Sequence, residues 1–504
     1  MTLRSAFIAL QSLLISIGFA GVQAPIADDI VAKAAAAVGP NSGNWVATGT
    51  SDLHHAKGGF TLRFDANGCY RTDQTGELPQ SEGFDGKTCW TDGPSLVPHP
   101  VSLFGRQVSL ISSWVISGQW TDRKLPLTRT LKNANANQIE LELSMKEGGV
   151  PVILLLDPTT FLPKSISYES SSGRESWIFD RFQKWGTRTI PALFRHRSGT
   201  QDDTVEITDA KESASATDFR MPPSPVSSES FPPGGLDIPV KRVSGYTFVR
   251  PTINGKDLGW FFLDTGADVM CIDPKLAASA GMREVGNDTT AGVVGVTTLK
   301  ICKAATFRLG PVQIDSPVFA ELPELGSIGA LLNLPIGGIC GYDFICRTGL
   351  DIDPGKETIH CFQPGAPATA AAWEHIVFGS NTPVLECSFA PGGTGEFSID
   401  TGSDSTVDFF SAAVSKYHLL DRSTGSQLSG GAGGTAESKR GAVDWFELGK
   451  KRFESPQVIF QTTQKGLFGT SFYTGNVGAG FLSKFRLLLD YPDQQIGFAE
   501  PAKS

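Results

Sequence analysis

Two short stretches hold the residues best suited to do chemistry. Phe261-Phe262-Leu263-Asp264-Thr265-Gly266-Ala267-Asp268 and Phe397-Ser398-Ile399-Asp400-Thr401-Gly402-Ser403-Asp404 each place Asp-Thr-Gly at the end of a largely apolar run. Such a run reads as a strand. The glycine permits a turn that a side chain would block, leaving the aspartate at the strand end with its carboxylate facing out. One carboxylate does little to an amide bond. Two held close cannot both ionise, so the pair keeps one shared proton. The ionised member can take a proton from a water, and the protonated member can polarise a carbonyl. The roles exchange as the tetrahedral intermediate collapses. Both titrations then belong to the pair rather than to either residue.

Something must bring the two aspartates together, and the sequence supplies an internal repeat. Leu309-Gly310 with Ser316-Pro317 answers to Leu448-Gly449 with Ser455-Pro456, and Asp353-Pro354 answers to Asp490-Tyr491-Pro492. Gly341 lies 77 residues beyond Asp264, and Gly478 lies 78 beyond Asp400. The alternative is that the triplets only punctuate strand-to-turn transitions in a duplicated β-domain. Shared order and near-equal spacing favour two copies of one unit, joined by a loose segment near Gln363 to Asn381.

Residues 237 to 502 resemble the retropepsin-like aspartic peptidases, in a form with both lobes in one chain. The motifs that carry the likeness are Leu263-Asp264-Thr265-Gly266-Ala267, Ile339-Cys340-Gly341, Ile399-Asp400-Thr401-Gly402-Ser403 and Asn476-Val477-Gly478. The resemblance implies a bilobal pair of β-barrels about a pseudo-twofold axis, with Asp264 and Asp400 catalytic. It implies that Gly341 and Gly478 support the loops carrying Thr265, Gly266, Thr401, Gly402 and Ser403. It also implies hairpin flaps over the cleft, for which Gly292 and Gly295, and Gly431 and Gly433, are the candidates by position. Three departures stand out. Asn476 breaks the apolar-apolar-Gly pattern, neither flap candidate holds a tyrosine, and Ala267 stands where the second copy has Ser403. A hydroxyl at 403 can donate to Asp400 and favour its ionised form. Asp400 is therefore expected to be the ionised member, with a mildly acidic activity optimum.

Residues 25 to 215 read as a separate α+β region. A helix is expected near Ile26 to Val38 and another within Val101 to Trp120. Alternating segments such as Phe60 to Phe64 and Ile139 to Leu143 predict a curved antiparallel sheet around the second helix. Gly83-Phe84-Asp85-Gly86-Lys87 with Trp90, and Leu156-Asp157-Pro158 running on to Pro163, loosely resemble lipoprotein-carrier-like half-barrels. That likeness implies a concave face able to take an apolar ligand or peptide.

The 504-residue length exceeds one ordinary core. The expected limits are a signal peptide at 1–24, an N-terminal domain at 25–215, a Pro/Ser/Gly linker at 216–236, lobe 1 at 237–363, an inter-lobe linker at 364–382 and lobe 2 at 383–504. Arg4, the apolar run Ala6 to Ala20 and small residues up to Ala24 predict export to the periplasm or extracellular space, with no stable membrane span after cleavage. A net charge of −9 without a basic run argues against a nucleic-acid partner. The seven histidines are scattered, so no metal and no cofactor is implied. Of the eight cysteines, Cys69 and Cys89 are the only pair in the first half, lie on predicted strands of one sheet and are expected to be bonded. Asn287-Asp288-Thr289 fits a glycosylation acceptor. The overall expectation is a mainly β, monomeric, exported aspartic endopeptidase acting on polypeptides. The competing expectation is a weak or inactive relative that binds peptide or lipid through its N-terminal domain.

Overall fold

The computed structural model describes residues 27–226, 231–366, 372–379, 381–431 and 433–502. The expected signal peptide lies outside the described residues. Helix α1 (Ala27–Val38) buries Ile30, Val31, Ala34 and Val38 on one face. Thirteen antiparallel strands follow in one curved, unclosed sheet. They form two meanders joined where β1 (Asn44–Leu53) pairs on one side with β2 (Ala56–Phe64) and on the other with β3 (Gln201–Ser213). The sheet is wet on one face and packed on the other, which the alternation of Ile139–Met145 spells out: every second side chain is buried. Helix α2 (Leu103–Ile116) fills the concavity with Leu110, Ile111, Trp114 and Val115, and the Trp114 indole donates to the Gly68 carbonyl at 2.8 Å.

The expected Cys69–Cys89 bridge is absent. Both thiols are free and buried, as are the other six. Strand Gln80–Phe84 lies between them, pairing Tyr70 with Phe84 on one side and Phe84 with Cys89 on the other. Two inter-strand spacings put the cysteines about 10 Å apart, too far to bridge. The shared sheet was foreseen and the intervening strand was not.

The second half is also mostly strand. Strand β4 (Trp260–Leu263) leads to Asp264, and β5 (Met270–Ile272) leaves it. Hairpin β6–β7 (Arg283–Ala291, Val296–Lys303) extends the same sheet. Strand β8 (Ile336–Cys340) runs parallel to β4, pairing Phe262 with Ile339 and Leu263 with Cys340. The pattern then recurs. Strand β9 (Gly393–Asp400) is followed by β10 (Val407–Phe409) and hairpin β11–β12 (Ser423–Gly431, Gly434–Ala442). Strand β13 (Gly475–Gly478) runs parallel to β9, pairing Ser398 with Asn476 and Ile399 with Val477. Both copies contribute to a third sheet, where Gly349–Ile352 pairs antiparallel with Arg486–Asp490 and the Arg486 guanidinium grips the Asp351 carboxylate. One hydrophobic core runs through both copies.

The N-terminal sheet packs onto this core. Val97 belongs to it. The His99 ring lies 5.0 Å from Tyr342 and 5.6 Å from Phe378, and Phe104 stacks on Phe472 at 3.9 Å. Among the described residues no helix is long and apolar enough to cross a membrane.

Candidate active site

The two Asp-Thr-Gly turns interlock through their threonines. The Thr265 N–H donates to Thr401 Oγ1 at 3.1 Å, and the Thr401 N–H donates to Thr265 Oγ1 at 3.0 Å. Each hydroxyl then donates across to the opposite strand, Thr265 to the Ile399 carbonyl at 2.6 Å and Thr401 to the Leu263 carbonyl at 2.8 Å. Four reciprocal bonds thus fix one turn against the other. Each is worth about 1 kcal/mol net, and each costs more if a buried partner is orphaned.

The glycines set the closeness. A Cβ at Gly266 would lie 2.5 Å from the carboxyl carbon of Asp400, and one at Gly402 would lie 2.2 Å from that of Asp264. Each carboxylate therefore sits where the other turn lacks a side chain. Each also accepts from its own turn, Asp264 from the Gly266 N–H at 2.8 Å and Asp400 from the Gly402 N–H at 2.9 Å. Each carboxyl group acts on the titration of the other. Gly341 and Gly478 underlie the loops in the same way: a Cβ at Gly341 would lie 2.5 Å from the Ala267 carbonyl, and one at Gly478 would lie 2.4 Å from the Ser405 carbonyl. The next residue pins the loop, with the Tyr342 N–H donating to Ala267 at 3.0 Å and the Ala479 N–H to Ser403 at 2.7 Å.

Residues 249–344 and 386–472 match the family model for aspartyl proteases. This part of the chain is an aspartic-protease-like domain. No curated protein matches the chain. A solved LolA superfamily protein from Nitrosomonas europaea is similar at 19% identity, covering 38% of this chain and 96% of its own, with a TM-score of 0.28.

Within the aspartic-protease-like domain the two acids differ. Burial and then the charge of Asp400 hold the Asp264 carboxyl well above the usual carboxylate range. Burial raises Asp400 too; the Gly402 N–H and the Asn476 amide pull against it, as the Gly266 N–H does at Asp264. The side-chain donor to Asp400 is the Asn476 amide, not the Ser403 hydroxyl expected from sequence. Ser403 Oγ faces Ser405 Oγ at 2.9 Å and accepts the Ser405 N–H at 3.3 Å, so its partners lie within its own loop. Asn476, which breaks the repeat, reaches Asp400 Oδ2 through Nδ2 at 3.4 Å. The Ser398 hydroxyl donates to Asn476 Oδ1 at 2.7 Å and thereby turns the amide nitrogen toward the carboxylate. The signal was present as a facing polar pair, Ser398 and Asn476, where the first copy has Phe262 and Ile339.

Sequence reasoning also missed Tyr246. Its ring lies 5.2 Å from Phe262, and burial with the charges of Asp404, Asp400 and Asp264 raises its phenol. It stands on a strand (Tyr246–Val249) rather than on either hairpin tip. Asp268 accepts from the Thr382 hydroxyl at 2.8 Å, a tie between the repeats.

The four hairpin glycines lie at two tips that touch. The Gly292 N–H closes its turn on the Gly295 carbonyl at 2.7 Å, and that tip is held by the N–H groups of Leu467 and Phe468 donating to Gly292 and Val293 at 3.0 and 3.2 Å. A Cβ at Gly295 would lie 2.9 Å from the Gly433 carbonyl, and one at Gly431 would lie 2.9 Å from Val293 Cγ2. Gly433 has φ +84°, in the left-handed region, so both shape and conformation ask for glycine there. Among the described residues no group of three His, Cys, Asp or Glu side chains could hold a metal ion.

Proposed function

We propose that this chain is an aspartic endopeptidase that cleaves polypeptides with a water activated between Asp264 and Asp400. The observation that carries the reading is the mutual seating of each carboxylate against the other turn's glycine, locked by the reciprocal threonine bonds. Asp400 takes a proton from the water as its oxygen attacks the scissile carbonyl carbon. Asp264 gives its proton to the carbonyl oxygen. Collapse of the tetrahedral intermediate breaks the C–N bond, with a proton passing to the leaving nitrogen and the dyad returning to its one-proton state. On this reading 237–363 and 383–504 are two lobes about a pseudo-twofold axis, and hairpins β6–β7 and β11–β12 are flaps whose Gly292, Gly295, Gly431 and Gly433 let backbone approach substrate. Gly341 and Gly478 hold the acid-bearing loops. We take 25–215 as a further domain, 1–24 as a cleaved export signal, and the exported chain as a monomer, since both acids come from one polypeptide.

The test is hydrolysis of a denatured protein between pH 4 and 7, with and without a transition-state-mimicking inhibitor of aspartic peptidases. Cleavage that the inhibitor blocks supports the reading; cleavage indifferent to it, or none at any pH, overturns it.

A ligand-binding role for the N-terminal sheet is favoured by one feature, a cavity of about 320 Å³ between the sheet and α2. Phe60, Leu62, Val108, Trp177 and Phe194 wall it, and the carboxyl of Glu82 is pushed up to about 7 by burial. Saturable uptake of an apolar fluorescent probe, lost on filling the cavity by Ser112→Phe, tests this role.

A further inference from the structure

Hairpin β6–β7 is gripped along its outer side by the N-terminal sheet. The β1–β2 turn is His54-His55, with φ of 55° and 59°. Left-handed backbone at two successive non-glycine residues is uncommon, and such strain tends to persist where a site needs it. The turn's main chain is tied at both ends: the His54 N–H donates to Asp203 Oδ1 at 2.8 Å, and the His54 carbonyl accepts the Asn287 N–H of β6 at 2.8 Å. That approach requires Gly286, since a Cβ there would lie 2.3 Å from the His54 carbonyl. Gln201, on β3, accepts the Thr289 N–H through Oε1 at 2.9 Å and donates through Nε2 to Asp203 at 2.9 Å. Beneath these bonds Ala56, Leu78, Val285, Ile301 and Val318 form a small apolar cluster bridging the two sheets.

His54 Nδ1 has two partners with opposite demands, a lone pair for Gln201 and a proton for Asp288. Its Nδ1 lies 3.0 Å from Gln201 Nε2 and 3.1 Å from Asp288 Oδ1. Gln201 cannot reverse, because Thr289 needs its carbonyl and Asp203 needs its amide. A neutral ring with a lone pair on Nδ1 accepts from Gln201 and turns that lone pair toward the Asp288 carboxylate. A protonated ring donates to Asp288 and gains an ion pair.

We propose that His54 in its protonated form, with Gln201 and Asp288, positions hairpin β6–β7 so that its tip meets the opposing tip, and that neutral His54 loosens it. The catalytic consequence rests on reading this hairpin as a flap over the dyad. His54, Gln201 and Asp288 are positioning residues, since none reaches the carboxylates of Asp264 or Asp400 by any contact described above. The titratable groups around His54 are Asp203 on β3, Asp288 on β6, His55 in the same turn, and the His196–Glu175 pair, whose nitrogen and oxygen are 3.1 Å apart, on the neighbouring strands. Farther along the hairpin Arg283 pairs with Glu77 at 2.7 Å. Burial disfavours the charge on His54, but the bond to Asp288 and the charges of Asp288 and Asp203 outweigh it and raise the pKa. The sign follows: the clasp is fully engaged below the ordinary histidine value of about 6.5 and is lost as pH rises through the raised one. Protonation thus seats the hairpin in the acidic range where a one-proton dyad works.

The test is amide hydrogen exchange at Asn287 and Thr289 in the full chain at pH 5.5 and 8, corrected for intrinsic rates, in the unaltered protein, Asp288→Asn and His54→Asn. Asparagine tolerates the left-handed turn, so the second variant keeps the backbone. We expect protection to be about two- to fivefold higher at pH 5.5 than at pH 8 in the unaltered protein, as befits a half-exposed ion pair, and the difference to vanish in both variants. A KM for polypeptide that rises by a similar factor at pH 5.5 in Asp288→Asn, with kcat nearly constant, extends the result to catalysis. Equal protection at the two pH values in the unaltered chain, or a pH effect that survives both substitutions, overturns the proposal. Absence of any cleavage counts against the peptidase reading alone, because the exchange measurement decides the clasp without it.

Discussion

The two Asp-Thr-Gly turns share a backbone and differ in what surrounds it. In the first, the strand pair behind the acid is Phe262 beside Ile339. In the second it is Ser398 beside Asn476. The threonine bonds are equal within 0.2 Å across the pair, and each glycine makes room for the opposite carboxylate. Geometry is therefore held symmetric by the parts that repeat, while the part that does not repeat gives Asp400 a side-chain amide donor. On the proposed mechanism, two acids with different tasks need both a shared geometry and a difference between them.

That comparison can be broken at several depths. The largest effect is expected from the acids. Asp264→Asn and Asp400→Asn should each lower kcat for polypeptide cleavage by roughly 100- to 10,000-fold, with the melting temperature retained, because either change removes the shared proton's second site. Gly402→Ala comes next. Its methyl would stand 2.2 Å from the Asp264 carboxyl carbon, so it should cost about 1–3 kcal/mol in urea unfolding and most of the activity as well. Gly266→Ala, at 2.5 Å from Asp400, should behave alike; a large difference between them would show the turns to be less equivalent than their bonds suggest. Thr265→Val and Thr401→Val each strip a hydroxyl that donates to one strand and accepts from the opposite turn, and should each cost about 1–3 kcal/mol, with serine at either position restoring most of it. The smallest effect separates the copies. Asn476→Val removes a donor to ionised Asp400 and restores the apolar pattern of the first copy. A lost donor raises the pKa of the acid it served, so the low-pH limb of kcat/KM should move up by about half a pH unit to one unit, while the high-pH limb moves less.

Much of this site was legible in the chain, and the illegible parts share a cause. The triplets, the supporting glycines Gly341 and Gly478 and the glycine-rich tips each announce themselves locally, because backbone demands write themselves into nearby residues. Ser403 was misread because a rotamer decides its partner: the hydroxyl turns to Ser405 rather than to Asp400. Asn476 acts through Ser398, a strand away, so its meaning depends on a parallel register that no local period reveals. Cys89 lies in the expected sheet and Cys69 just before its neighbouring strand Tyr70–Gln74, but strand order put Gln80–Phe84 between them. The hold of the His54 turn on Asn287 and Asp288 joins residues more than 230 positions apart, and nothing in either segment alone foretells it.

The claim on which all else depends is that two acids from repeated turns share a single proton. Carbon-13 NMR titration of the labelled aspartate side chains, with Asp264→Asn and Asp400→Asn to assign them, measures it directly. The account predicts two well-separated steps that both carbons sense, the upper one above the ordinary carboxylate range of about 4, and a single step in either variant. Two independent titrations, each near the ordinary value and each unmoved when the other aspartate is replaced, would contradict it.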